Sequence, residues 1–155
     1  MSPAHALWLC KVLAAGVALL LAGCATTPSM SPPQSSPLDL SLTRVSPNKH
    51  FTITLVPPAE TVRPQQFTNW QIQVKDADGQ PLTQALVYVN GDMPEHGHGL
   101  PARPQVTKEI APGTYQVEGL KFSMTGWWEI YVAVQKVPAS DVTTFNFIVP
   151  LPDAR

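Results

Sequence analysis

From residue 50 onward, hydrophobic and polar residues alternate along most of the chain. The alternation recurs in short segments rich in β-branched and aromatic residues, at 51–55, 69–75, 85–89, near 106, and at 115–117, 128–134 and 145–149. Side chains that point to alternate faces of a β-strand produce this period of two. No segment repeats apolar residues at the spacing of an amphipathic helix over three turns. The chain is therefore predicted to be all-β.

About seven strands within roughly 105 residues, separated by turn sequences such as Pro112-Gly113, are typical of a single immunoglobulin-like β-sandwich. A closed barrel is the alternative. We place this domain at residues 49–151. Upstream, Leu38, Leu40 and Leu42 alternate with polar residues and are candidates for an additional edge strand.

The first 23 residues are predicted to be a lipoprotein signal peptide. Lys11 precedes an apolar run over residues 12–21, which is too short to span a bilayer but suits the core of a secretory signal. The run ends in Leu-Ala-Gly before Cys24, and this order resembles the bacterial lipobox. Cys24 would then be lipidated and would anchor the chain to a membrane. An ordinary signal peptide with an incidental cysteine is the alternative.

Residues 24–48 are predicted to be the lipidated cysteine followed by a disordered linker. Positions 25–48 contain five Pro and six Ser, and such a segment cannot pack a hydrophobic core. We expect a tether that holds a periplasm-facing domain in the cell envelope. Ala25 after the cysteine is compatible with sorting to the outer membrane of a Gram-negative cell.

Composition argues against several classes of function. Ten basic and eleven acidic residues give a net charge of −1. Such a chain lacks the excess of positive charge that binds the phosphate backbone of nucleic acid. The two cysteines, Cys10 and Cys24, are lost with the signal and used by the lipid, so we expect neither a disulfide nor a thiol site in the mature domain. No catalytic triad or carboxylate pair has a recognisable spacing. We therefore do not expect an enzyme.

One loop carries candidate metal chemistry. His96 and His98 are separated by one glycine, and Met93 precedes His96 by three residues. In an extended backbone, side chains two residues apart project to the same side, with Cα atoms roughly 6.5–7 Å apart. Imidazole together with thioether suits copper, and the thioether favours Cu(I). The alternative is a pair of solvent-exposed histidines on a turn. Glu95 is either an oxygen ligand or a solvated loop acid.

A second segment could supply another soft ligand. Met124 shares parity with Phe122 and Trp128, so in an unbroken strand it would be a core residue. Thr125-Gly126 looks like a turn, however, which would move Met124 to a loop edge where it could bind metal. Trp128 is expected in the core. Trp127 and Tyr131 would face outward, as ordinary surface aromatics or as part of a partner surface.

These motifs together resemble the YtkA-like domain family, which is related to the FixH proteins. The resemblance covers roughly residues 48–150 and is carried by residues 93–101, 113–115, 122–128 and 130–132. It implies a small immunoglobulin-like sandwich, a metal site at Met93, His96, His98 and Met124, and an association with copper handling and respiratory-oxidase assembly. FixH proteins have a transmembrane anchor, whereas this chain has a lipobox.

Two functions follow from the sequence. The first is a lipid-anchored copper carrier or buffer whose affinity falls as the histidines protonate, near pH 6.5 for an ordinary imidazole. The alternative is a metal-free immunoglobulin-like interaction module in envelope or respiratory-complex assembly. The partners expected are the membrane, through Cys24, and a copper-handling or respiratory-assembly protein.

Overall fold

The computed structural model describes residues 37–151. The predicted signal peptide, Cys24 and most of the predicted linker lie outside these residues. Within them the backbone forms nine strands and no helix, so no helical segment of residues 37–151 could cross a bilayer. The strands are β1 Thr43–Val45, β2 Phe51–Val56, β3 Phe67–Asp76, β4 Leu86–Met93, β5 His98–Gly99, β6 Gln105–Ala111, β7 Thr114–Lys121, β8 Gly126–Lys136 and β9 Ala139–Val149.

The strands form two antiparallel sheets. One has the order β1-β2-β3-β7-β6 and the other has the order β5-β4-β8-β9. The seven longer strands follow the order of a constant-type immunoglobulin domain, with four strands in one sheet and three in the other. The predicted two-sheet sandwich of about seven strands is confirmed. The two additional strands, β1 and β5, are three and two residues long.

The core lies between the sheets and follows the period-two pattern. In β8, Trp128, Ile130, Val132 and Val134 are each at most 1% exposed, while the residues between them face outward. At one end of the core, aromatic rings pack together. Phe122 lies 5.3 Å from Trp128 and 5.7 Å from Phe147, measured between ring centroids. Such packing at close range adds stability beyond the area it buries, and it fixes the end of the sandwich from which the histidine loop projects.

The sandwich begins earlier than predicted. The edge strand expected at residues 38–42 lies instead at Thr43–Val45, as β1. Because β1 falls within residues 24–48, which were predicted to be linker, the domain begins before the predicted boundary at residue 48. The contacts of Leu42 explain why the sandwich begins here. It packs against the core, and its carbonyl accepts a hydrogen bond from the Leu55 amide at 2.8 Å. Leu38 and Leu40 remain exposed. Alternation alone could not distinguish these three leucines.

A buried carboxylate ties β9 to the turn between β1 and β2. Asp141 accepts hydrogen bonds from the Asn48 backbone amide at 2.9 Å and from its side-chain amide at 3.0 Å. The His50 ring nitrogen lies 3.7 Å away. Burial opposes ionisation of Asp141, but the hydrogen bonds from Ser46 and Asn48 outweigh it, and the pKa of Asp141 is lowered. The carboxylate therefore stabilises the fold in its charged form.

We expect Asp141→Ala to lower the free energy of unfolding at pH 7 by about 1–3 kcal/mol, because it removes the charged acceptor of part-buried hydrogen bonds from Asn48. A carboxyl with a lowered pKa contributes stability above its unfolded pKa, about 3.9, and loses that stability as pH falls through the folded value. Denaturant unfolding between pH 7 and pH 3 should therefore show a steeper loss for the wild type than for Asp141→Ala. Asp78→Ala, at an exposed turn residue, is the control. Equal slopes for all three proteins would contradict this role.

Candidate metal centre

A tight turn at the end of β4 presents the two histidines. The Met93 carbonyl accepts hydrogen bonds from the amides of His96, at 3.0 Å, and Gly97, at 2.9 Å. Gly97 has a φ of +65°, a left-handed conformation that glycine adopts without a steric cost. The turn brings β5 back against β4, so that Met93 and His98 become cross-strand partners. Partners in an antiparallel pair project to the same face of the sheet. The chain thus places this thioether beside this imidazole.

Two contacts orient the His98 ring, one with Trp128 and one with Gly99. Its ring meets the edge of the Trp128 ring at a centroid distance of 5.5 Å, and Trp128 is fully buried. Its Nδ1 lies 3.3 Å from the Gly99 carbonyl oxygen. When one ring nitrogen bonds to a backbone carbonyl, the ring orientation is fixed and the other nitrogen is left for a ligand. His98 therefore offers Nε2 from a defined position.

His96 is the exposed member of the pair. The ring centroids of His96 and His98 are 6.0 Å apart, with planes inclined by 52°. An ion bonded at about 2.0 Å to a ring nitrogen lies roughly 3 Å from that ring's centroid, so two imidazoles on one ion have centroids up to roughly 6 Å apart. The observed separation is at the upper end of this range.

Met93 lies beneath the turn rather than on it. Its side chain is 2% exposed, and its terminal methyl would be 2.8 Å from a Cβ at position 126. Gly126 also has a φ of +112°, so the chain needs glycine there for two reasons. Met93 therefore packs as a core residue, with its terminal methyl against Gly126, the first residue of β8.

Met124 occupies a loop edge, not the core. The segment between β7 and β8 is irregular, which breaks the parity that would have buried this side chain. Phe122 turns inward at 0% exposure, while Met124 is 37% exposed. The Met124 carbonyl accepts a hydrogen bond from the Trp128 indole at 3.1 Å. Since Trp128 also contacts His98, the loop that carries Met124 lies beside the histidine turn.

The four predicted ligand residues thus gather at one end of the sandwich, in two layers. His96 and Met124 are accessible, His98 is half-buried and Met93 is buried. Glu95 is exposed on the turn. Within residues 37–151 no three His, Cys, Asp or Glu side chains converge. The four predicted ligand residues offer imidazole nitrogen and thioether sulfur, a donor set that suits copper better than zinc.

Two carboxylates that were not predicted from the sequence share one tyrosine hydroxyl on the outer face of β4 and β8. The Tyr131 hydroxyl lies 2.7 Å from an Asp92 carboxylate oxygen and 2.8 Å from one of Glu129. Asp92 and Glu129 are cross-strand partners. Burial, followed by the hydrogen bonds and charges of both carboxylates, raises the pKa of Tyr131. Only the strand register brings these three side chains together, so no sequence motif could have identified them.

The two outward-facing aromatic residues of β8, Trp127 and Tyr131, also form hydrogen bonds with neighbouring side chains. The Trp127 indole donates a hydrogen bond to the Asn146 side chain at 3.0 Å, and Tyr131 is held by the two carboxylates. Both side chains are half-buried. They stabilise the outer face of the sheet through side-chain contacts between neighbouring strands.

Comparison with known proteins gives one family and one solved structure. The family described as YtkA-like matches residues 46–133. The C-terminal domain of ZirS is similar over 88% of this chain and 86% of its own, with 17% sequence identity and a TM-score of 0.38. No curated protein matches the sequence.

Truncating Met93 and Met124 in turn should show that one lies in the buried layer of the site and the other in the exposed layer, because the two substitutions should differ in their effect on the free energy of unfolding. Met93→Ala leaves a cavity beneath the turn and should cost about 2–5 kcal/mol of unfolding free energy. Met124→Ala, at the exposed loop edge, should change it by no more than about 0.5 kcal/mol. Denaturant unfolding of both variants measures the difference. Equal destabilisation by the two substitutions would contradict the layered arrangement.

Proposed function

This chain belongs to the YtkA-like family, and we propose that it binds copper at the turn between β4 and β5 as a carrier or buffer in the cell envelope. The observation that carries the proposal is the pairing of Met93 with His98, with the His96 ring at 6.0 Å from the His98 ring. It is a binding function and requires no catalytic group.

The donor set supports copper over other metals. Two neutral imidazoles suit Cu(II), and thioether sulfur favours Cu(I). Zinc sites in proteins are built from thiolates, imidazoles and carboxylates, and residues 37–151 bring together no three such side chains. We propose His96 and His98 as the nitrogen ligands, Met124 as a sulfur ligand from the neighbouring loop, and Met93 as a sulfur ligand from below.

The exposure of the ligands suits exchange with a partner. His98 is oriented by Trp128 and the Gly99 carbonyl, whereas His96 and Met124 are on the surface. A site with two fixed ligands, His98 and Met93, and two accessible ones can release its ion to another protein without unfolding the domain. We propose a copper-handling or respiratory-assembly protein of the envelope as that partner.

We propose that Cys24 anchors the domain to a membrane through lipid, on the periplasmic side. Each methylene of an acyl chain buried in the bilayer contributes about 0.8 kcal/mol, so two or more chains give a stable anchor. In a Gram-negative cell the outer membrane is the preferred location.

A second function, a metal-free interaction module, has its own support. The outer face of the β4-β8-β9 sheet carries exposed apolar side chains, which are Leu86 at 57%, Tyr88 at 64%, Val142 at 53% and Ile148 at 41%. Apolar surface grouped on one face marks interaction sites in many soluble proteins. This function predicts no effect of metals on stability.

Copper should stabilise the folded domain. The chain from Ala25 onward keeps the whole described sandwich and contains no cysteine, so no thiol competes for the ion. At a copper concentration a hundred times the dissociation constant, binding to the folded state alone adds about 2.7 kcal/mol. Thermal unfolding with and without one equivalent of Cu(I), Cu(II) or Zn(II) should therefore show a copper-dependent shift of several degrees.

The matched variants test the assignment of the site. The double substitution His96→Ala/His98→Ala should abolish the copper-dependent shift in unfolding temperature. The control His50→Ala, at the other histidine of the chain from Ala25 onward, should keep it. Acidification from about pH 7.5 to about pH 5.5 should also weaken binding, because protonated imidazole cannot ligate. A copper shift that survives the double substitution would refute the site. No shift with any metal would favour the interaction module.

A further inference from the structure

The loop between β7 and β8, residues 122–125, is fixed to the sandwich through its backbone, and we call it the methionine loop because it carries Met124. The Gln65 amide donates a hydrogen bond to the Phe122 carbonyl at 2.8 Å, and the Gln65 side chain donates to the Ser123 carbonyl at 2.9 Å. Gln65 has a φ of +63°, a left-handed conformation that is uncommon for residues other than glycine. Backbone strain of this kind clusters at binding sites, and here both hydrogen bonds of the strained residue hold the methionine loop.

A third hydrogen bond fixes the methionine loop from the core. The Trp128 indole donates to the Met124 carbonyl at 3.1 Å. Because Trp128 is 0% exposed, bulk water does not reach its N–H group, and a buried donor without an acceptor is costly. The bond therefore holds the Met124 backbone in place, whereas the Met124 side chain is 37% exposed and can rotate.

Trp128 contacts a nitrogen ligand through a different part of its side chain. Its ring meets the His98 ring edge-on, at a centroid distance of 5.5 Å. This contact requires an aromatic ring, whereas the contact with the Met124 carbonyl requires the indole N–H. Phenylalanine at position 128 would keep the first contact and remove the second, so the two contacts can be separated by one substitution.

We propose that Trp128 and Gln65 make the proposed copper site selective for Cu(I), by holding the methionine loop so that the Met124 thioether is available to an ion bound at His98. This inference rests on the proposed copper-binding function and assigns its preference for one oxidation state to two positioning residues. Thioether sulfur favours Cu(I), and neutral imidazole suits Cu(II). A ligand whose backbone is already ordered binds with a smaller loss of entropy. Release of the loop therefore weakens Cu(I) binding more than Cu(II) binding.

The other sulfur ligand does not depend on the methionine loop. Met93 belongs to β4 and is the cross-strand partner of His98. Its buried side chain packs against Gly126, which is held by its pairing with Val149 in β9. Loss of the hydrogen bonds to the loop therefore leaves Met93 beside His98, and the change in selectivity comes from Met124.

The test measures the dissociation constants of Cu(I) and Cu(II) for the chain from Ala25 onward, by competition with a chromophoric chelator for each ion. Trp128→Phe should raise the constant for Cu(I) by roughly tenfold, the equivalent of one lost hydrogen bond. The constant for Cu(II) should change by less than about threefold, because the ring against His98 remains. Trp127→Phe is the matched control, since it removes an indole that donates to Asn146 on the outer face of the same strand. It should leave both constants unchanged.

A second variant tests the loop from its exposed side. Gln65→Ala removes the hydrogen bond to the Ser123 carbonyl, and because the Gln65 side chain is exposed, the substitution does not disturb the core. It should raise the dissociation constant for Cu(I) by about threefold or more and leave that for Cu(II) unchanged. Gln66→Ala, at the exposed neighbouring residue, is the control. Gln65→Ala decides the question by itself if Trp128→Phe does not fold.

A change at Met124 separates positioning from a general structural effect. Met124→Leu removes the sulfur and keeps an apolar side chain of similar size. In this background Trp128→Phe and Gln65→Ala should have no further effect on Cu(I) binding, because residues that act through one group are not additive. A purely structural role of Trp128 or Gln65 would persist without the sulfur.

Three results would overturn this inference while leaving the proposed function in place. They are wild-type Cu(I) affinity in Trp128→Phe and Gln65→Ala, an equal loss of Cu(I) and Cu(II) affinity in these variants, and a full effect of either substitution in the Met124→Leu background. A wild-type chain that binds neither copper ion would overturn the proposed function, and this inference with it.

Discussion

The contacts of Trp128 hold the candidate site onto the fold. This side chain is fully buried on β8, packs against Phe122 at 5.3 Å and touches His98 at 5.5 Å, measured between ring centroids. Its indole also donates to the Met124 carbonyl. One rigid aromatic residue thereby joins the core, the histidine turn and the methionine loop. Positioning by a packed core residue is more exact than positioning by loops alone, and it leaves only the outermost ligands free to move.

The strands could be predicted from the sequence because long antiparallel strands with one buried face carry a clear period of two. The short strands β1 and β5 could not, because two or three residues contain no measurable period. The sequence could not decide whether Met124 lies in the core or at the surface. The period of two places side chains only within an unbroken strand, and the strand is interrupted before Gly126. The pairing of Met93 with His98, and the meeting of Tyr131 with Asp92 and Glu129, depend on strand register, which turn geometry sets.

Membership of the YtkA-like family agrees with the sandwich and with the loops that carry its motifs. The proposed copper chemistry rests on the donor types and on their arrangement in two layers, and it places exchangeable ligands at the surface of a rigid domain. The proposed lipid anchor would hold this metal-exchange end of the domain in the cell envelope.

X-ray absorption spectroscopy of the copper-loaded domain tests the central proposal most directly, because it counts the nitrogen and sulfur atoms bound to the ion. We predict two imidazole nitrogens together with at least one sulfur in the wild type, and the loss of one imidazole in His98→Ala. A copper environment without imidazole, or with oxygen and nitrogen donors that do not change in His98→Ala, would contradict the account.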